Sequence, residues 1–313
     1  MKEPFLGIKK FFCFTKLFVL STALYPIYSY SKEYFISSPY NRLIGQNQYY
    51  TIPNDGNSLE FIISKFHIGL LGMLEANPDI DPLLPKAGKK VILPLQMLIP
   101  KCKFKGIVIN LAELRMYFFV SKNRVIVYPV GIGQIDAKTP EMETRIIQMI
   151  KNPTWTPTSE IKKRYKTQGI ILPSFVPSGP ENPMGYYALR LAYGNGEYLI
   201  HGTNVNFGIG LRVSSGCIRL RSKDIEELFN LVSIGTEVKI INEPIKFSVE
   251  YDGSCYIEVH QPLSEKYSDD PRTMSFIYDK DFEYFLKRND IDKDVVKMEI
   301  LRRSGIPVRV NKK

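Results

Sequence analysis

Three runs of β-branched and aromatic residues follow one another from position 106. They span 106–111 (Gly-Ile-Val-Ile-Asn-Leu), 115–120 (Arg-Met-Tyr-Phe-Phe-Val) and 125–132 (Val-Ile-Val-Tyr-Pro-Val-Gly-Ile). Only short turns at 112–113 and 121–124 part them. Such runs fit the pleated surface of a sheet, and turns that short join neighbours as an antiparallel meander. Further runs at 144–150, 186–192 and 198–201 continue the pattern. Many short strands with turn signals point to a β-sandwich or barrel. The expectation is a mainly β protein whose central domain, residues 104–241, is a β-sandwich with one helix near its end. Ser222 is the expected N-cap of that helix. Asp224, Glu226 and Glu227 load its early turns with acid, and Ile225, Leu228, Phe229 and Val232 form its apolar face. Residues 237–241 then return as a strand.

One stretch resists the pattern. Residues 139–185 hold seven prolines, Pro140, Pro153, Pro157, Pro173, Pro177, Pro180 and Pro183. Regular sheet cannot tolerate them, and the stretch is long for an idle connection, so it reads as a functional loop or lid. The single Trp of the chain, Trp155, lies in it.

The flanks are of different texture. With 313 residues, the length favours about two domains. Lys2, Lys9, Lys10 and Lys16 precede an apolar run at 17–28, the pattern of an export signal over residues 1–30. The run is short of the roughly 20 residues that span a membrane, and cleavage is expected near residues 29–31, which places the protein in the periplasm. Residues 31–47 read as a linker. Residues 48–94 read as a compact strand–helix–helix–strand unit: alternation at 49–52, a turn at Asp55-Gly56-Asn57, Leu59, Ile62, Ile63 and Phe66 at helical spacing, then Leu70, Leu71 and Leu74, a stop at Asn77-Pro78 and a strand at 91–93. Residues 242–313 read as a hairpin followed by a charged tail with a helix near 281–287.

Composition narrows the chemistry. The net charge is +10, but the basic residues are dispersed, which argues against nucleic acid as a partner. Of four Cys, Cys13 falls in the export signal. Cys102, Cys217 and Cys255 remain, an odd set. Cys102 and Cys255 are either a bridge or two buried thiols, and Cys217 is the thiol left over.

Cys217 sits in the segment that carries the chemistry. An apolar strand ends at His201-Gly202; a Gly-rich connection leads to Ser214-Ser215-Gly216-Cys217, then a hydrophobe and Arg219. A thiol titrates near ~8.5 and reacts as thiolate, so it needs a base or a positive field, and an imidazole supplies both. Cys217 is the candidate nucleophile and His201 the proton donor and acceptor. Gly216 lets the backbone approach a substrate, and amides at 215–217 are candidate oxyanion donors. Arg219, two residues on, shares a strand face with the thiol and suits a substrate carboxylate. Ser214, Ser215, Gly202 and Trp155 join Arg219 as the expected substrate-binding set. No second Cys or His stands nearby at ligand spacing, so no metal is expected. Neither Ser stands in a Gly-x-Ser-x-Gly frame, which disfavours a serine hydrolase.

These residues resemble the signature of the YkuD-type L,D-transpeptidases. Its His matches His201, and its Ser/Thr–His–Gly–Cys box matches Ser214, Gly216 and Cys217, with Arg219 beyond. Ser215 replaces the His of many members, so the mechanism must run on one imidazole. The segments 152–157, 180–185 and 238–246 resemble the ErfK/YbiS/YcfS/YnhG branch, and residues 48–94 resemble a LysM module, which binds cell-wall glycan. The resemblance implies peptidoglycan tetrapeptide stems as substrate. Cys217 would attack at diaminopimelate and D-Ala would leave. The acceptor would be the C-terminal Lys of an outer-membrane lipoprotein, towards which the branch tilts, or a second diaminopimelate giving a 3→3 crosslink. It implies no cofactor. An exported catalytic thiol is expected to need a periplasmic thiol reductant. A hydrolase using the same thioester and a catalytically silent wall-binding protein remain as other readings.

Overall fold

The computed structural model describes residues 33–103, 105–205 and 207–312. The expected export signal and Cys13 lie outside the described residues. The chain begins with β1 (Glu33–Phe35), β2 (Leu43–Ile44), β3 (Gln48–Thr51), α1 (Leu59–Lys65), α2 (Leu70–Ala76), β4 (Lys90–Leu93) and β5 (Met97–Leu98). The central part runs β6 (Gly106–Asn110), β7 (Arg115–Ser121), β8 (Arg124–Pro129), β9 (Ile132–Gly133), β10 (Met142–Lys151), α3 (Ser159–Thr167), β11 (Tyr187–Leu191), β12 (Leu199–His201), β13 (Arg212–Ser214), β14 (Ile218–Arg219), α4 (Ser222–Leu231) and β15 (Glu237–Ile241). The chain ends with β16 (Ile245–Val249), β17 (Cys255–Val259), α5 (Lys280–Leu286), α6 (Lys293–Arg302) and β18 (Val308–Arg309).

One nine-stranded sheet, in the order β1-β8-β7-β6-β15-β10-β11-β12-β14, organises the centre. β6, β7 and β8 form the expected meander, with Ile107 opposite Phe118 and Phe118 opposite Ile126. The sheet curls. Ile126 and Tyr128 from one end share a core with Ile200 and Ile218 from the other, and Ile225 and Leu228 of α4 complete it. The mainly β architecture with a helix after Cys217 is therefore found, with one continuous sheet enclosing the core. Ser222 is not the cap of α4. Arg221 takes the N-cap position, and the Ser222 hydroxyl donates to the Thr203 carbonyl at 2.8 Å.

The N-terminal unit has the expected order, with β3 and β4 antiparallel and two short helices between them. Leu59, Ile62, Ile63 and Phe66 recur on one face of α1 and its exit, and all are buried. Asn77 ends α2 and ties it to β4, giving its side-chain amide to the Ile92 carbonyl and accepting from the Ile92 amide, both at 2.8 Å. The linker reading of 31–47 is corrected. β1 pairs with β8, β2 pairs with β5, and Ile36 and Ile44 are buried. Their partners lie 53 to 93 positions downstream, so no local pattern announces them.

The charged tail is also corrected. β16, β17 and β18 form a sheet, and α5 and α6 pack Phe282, Phe285 and Val296 against Ile257 and Val259. Between the three regions lies a buried cluster of charge. Lys246 reaches Glu113 at 2.8 Å and Glu258 at 3.1 Å. Arg115 reaches the same two carboxylates at 3.1 and 2.8 Å. His260 bridges Glu75 of α2 and Glu258, both at 2.8 Å.

Candidate active site

β12 and β14 lie side by side and parallel, with Ile200 opposite Ile218 and His201 opposite Arg219. Ile200 and Ile218 are wholly buried in the core. Alternation turns His201 and Arg219 to the other face, and Cys217, two residues before Arg219, shares it. β14 is fixed on its far side too. The amides of Gly131 and Arg219 each donate to the other's carbonyl, at 2.9 and 2.8 Å.

The turn before Cys217 is built from hydroxyls. Ser214 is 1% exposed; its hydroxyl donates to the Cys217 carbonyl and accepts from the Gly216 amide at 3.2 Å. Thr139 donates to the Gly216 carbonyl at 2.7 Å and accepts from the Gly133 amide at 2.9 Å. Gly216 has φ +107°, where a side chain is strained, and a Cβ there would stand 3.2 Å from the Tyr198 ring.

The imidazole is oriented by carbonyls. His201 Nδ1 lies 2.6 Å from the Gly202 oxygen, and the Met184 carbonyl also bonds the ring. A carbonyl only accepts, so Nδ1 holds the proton and Nε2 of the neutral ring is the free base. Burial, assisted by the Arg219 charge, lowers this imidazole to about 4. Burial pushes the Cys217 thiol up, against a backbone hydrogen bond from Leu199 and the charges of Arg219 and Arg190. The thiol donates to the Glu197 carbonyl at 3.6 Å. The resting pair is thus a thiol and a neutral imidazole. The expectation that His201 supplies a positive field is corrected: Arg219 and Arg190 supply it.

The Pro-rich excursion connects β10 to β11. At its base Asn182 is wholly buried. Its amide donates to the carbonyls of Pro153, Val176 and Pro177 at 2.8, 3.2 and 3.1 Å, and its oxygen accepts from Met184 at 2.8 Å. Trp155 is half-buried, and its backbone exchanges hydrogen bonds with Val176 at 2.8 and 2.7 Å. The base is clamped, whereas α3 further out buries no residue. α3 still reaches the turn: Arg164 donates to the Ser215 hydroxyl at 2.6 Å, and Tyr165 stands beside Arg219.

Cys217, His201 and Arg219 therefore share one face, with Ser215 exposed beside them. Two expected substrate contacts do not face it. Ser214 spends its hydroxyl inside the turn, and Gly202 is buried against Ile225, offering its carbonyl to His201. The Gly216 amide, an expected oxyanion donor, here donates to the Ser214 hydroxyl at 3.2 Å. Thr139, Arg164, Asn182 and Arg190 were not legible as site residues, because each acts across a contact and belongs to no local motif. Among the described residues, Glu113, Glu258 and His260 could place donors on one ion, within 4.8 Å of one another. Lys246 and Arg115 already hold those carboxylates, so a metal would have to displace buried cations.

Residues 105–240 match the profile of the YkuD L,D-transpeptidase catalytic domain, and residues 244–310 that of an L,D-transpeptidase C-terminal domain. "Probable L,D-transpeptidase YcfS" of Escherichia coli is 50% identical over 275 residues, covering 87% of this chain and 86% of that protein. The chain belongs to the YkuD family of L,D-transpeptidases. "Probable L,D-transpeptidase YbiS" of Escherichia coli is 46% identical, over 87% of this chain and 89% of its own. "Probable L,D-transpeptidase ErfK/SrfK" of Salmonella typhimurium is 41% identical, over 95% and 97%. This L,D-transpeptidase thus carries an L,D-transpeptidase C-terminal domain where the sequence suggested a tail. Its three described cysteines, Cys102, Cys217 and Cys255, are free thiols.

Proposed function

We propose that this L,D-transpeptidase is acylated at Cys217 by a peptidoglycan tetrapeptide stem and passes the acyl group to an amine. The reading rests on the His201 ring. Its Nδ1 is tied to the Gly202 carbonyl, which leaves Nε2 as the base on the face that Cys217 shares. Nε2 takes the thiol proton as sulfur attacks the carbonyl of the diaminopimelate L-centre. The S–C bond forms, the C–N bond to D-Ala breaks, and the proton passes to the departing amine. An acceptor amine then attacks the thioester, loses its proton to His201, and the thiol is restored. Arg219 holds a stem carboxylate; its buried Nε has no hydrogen-bond partner among the described residues. Ser215 and Trp155 line the approach, and an amide of the 215–217 turn other than that of Gly216 receives the oxyanion.

The acceptor is the C-terminal Lys of an outer-membrane lipoprotein, a reading supported by the resemblance to the ErfK/YbiS/YcfS/YnhG branch. The reaction takes place in the periplasm, where its substrate lies, and a thiol reductant keeps Cys217 free. The N-terminal unit is a LysM-like glycan holder. Its strand–helix–helix–strand order supports this, as does Tyr49, 68% exposed with Lys90 Nζ 4.5 Å from its ring centre.

Mass spectrometry of the intact protein with a disaccharide-tetrapeptide tests the reading. A mass gain on the Cys217 peptide with release of D-Ala is expected, and its absence would sink the mechanism. A tripeptide product formed without any amine would point instead to hydrolysis.

A further inference from the structure

The site holds more positive charge than one carboxylate needs. Arg164 reaches the turn before Cys217 and stands close enough to Arg219 that its charge disfavours that of Arg219. Among the described residues neither is paired with a carboxylate at ion-pair distance. The side-chain hydrogen bond of Arg164 goes, among the described residues, to the Ser215 hydroxyl, two residues before Cys217, at 2.6 Å. A neutral hydroxyl is a weak partner for a guanidinium beside a carboxylate, which takes a charge-assisted and often bidentate bond. The carrier of Arg164 is suited to adjust. α3 buries none of its residues, while Asn182 fixes the base of the excursion that holds it. Arg219 meanwhile keeps a buried Nε without a hydrogen-bond partner.

We infer that Arg164 is a second carboxylate-binding residue of this site and sets its preference for stems with two free carboxylates at the donor end. This rests on the donor reading above. A tetrapeptide ending in diaminopimelate and D-Ala has two such groups, one on the diaminopimelate D-centre and one at the chain terminus. Arg219 takes one. Arg164 leaves Ser215 and takes the other, and α3 settles over the bound stem. Arg164 does no proton transfer, so its contribution falls on binding.

The test compares wild type with Arg164→Gln and Arg164→Lys on three donors: the disaccharide-tetrapeptide, its diaminopimelate-amidated form and its C-terminal amide. Arg164→Gln should raise KM about tenfold and leave the maximal acylation rate within about threefold. Arg164→Lys should recover part of the loss. One amidated donor should show the same loss on wild type and none further on Arg164→Gln, and that donor names the carboxylate. Equal penalties from Arg164→Gln on all three donors would overturn the inference. So would an equal slowing of Cys217 alkylation by neutral iodoacetamide, which would mean that Arg164 only shapes the turn. Calorimetric binding of the same donors to Cys217→Ser proteins, with Arg or Gln at position 164, separates the two readings. Donor-dependent binding without acylation of the wild type would overturn the acylation mechanism and keep the inference. Binding that ignores position 164 would overturn the inference alone.

Discussion

At the scale of single residues, the proposed mechanism makes the response to pH depend on the state of His201 and Cys217. A resting thiolate–imidazolium pair would need the ring charged at neutral pH. Burial and Arg219 instead hold His201 down at about 4 and burial lifts the thiol. The base is therefore ready above that value and is lost as pH falls through it. The acid limb of kcat/KM for acylation should lie near 4, and a limb near 6 to 7 would contradict a neutral ring. Cys217→Ser should cut acyl transfer by on the order of 10³-fold or more, read as loss of the mass adduct with the fold intact. Gly216→Ala should be nearly as damaging, because φ +107° strains any side chain and its Cβ meets Tyr198. A crystal structure of that variant would show the turn displaced. The shared face of His201, Cys217 and Arg219 was legible in the sequence, because strand alternation converts their spacing into a common side. Ser214 misled, because nothing in a linear string says whether a hydroxyl points out to substrate or back into its own turn.

At the scale of elements, the meander and α4 were legible because β6, β7, β8 and α4 carry their own periodicity. α3 was not. Its residues are mostly charged and it buries none of them, so it lacks the apolar stripe by which a helix is read. The prolines around it excluded sheet and left its form open. Asn182 gives that excursion its shape by collecting three carbonyls and one amide from its two arms. Asn182→Ala leaves buried carbonyls without donors and should cost about 1–3 kcal/mol. It should also lower acylation more than stability alone explains, since Met184, which Asn182 anchors, bonds His201. Thermal melts beside single-turnover acylation check the pair, and wild-type acylation in a destabilised variant would count against the link.

At the scale of the whole molecule, three stretches of chain contribute to one buried ionic cluster. Glu75 comes from the N-terminal unit, Glu113 and Arg115 from the β6–β7 turn and the start of β7, and Lys246, Glu258 and His260 from the C-terminal domain. Three acids meet three bases with almost no solvent, so removing one strands another. Lys246→Met should cost about 3–5 kcal/mol, measured by denaturant unfolding. Burial works against charge on His260, but Glu75 and Glu258 outweigh it and hold the ring up at about 9. Its stabilisation is complete below the free value near 6.5 and fades as pH rises through 9. Urea midpoints should fall across that window in the wild type and less in His260→Gln. The cluster also has a mechanical consequence. A module hung on a flexible tether would search a volume of wall, whereas here the N-terminal unit is riveted through Glu75 and through the amides of Leu70 and Leu71 on the 209–210 loop. Under the proposal that this unit holds glycan, a bound strand would present its stems to Cys217 at one fixed offset, and the enzyme would work as a jig, spacing its linkages by its own dimensions.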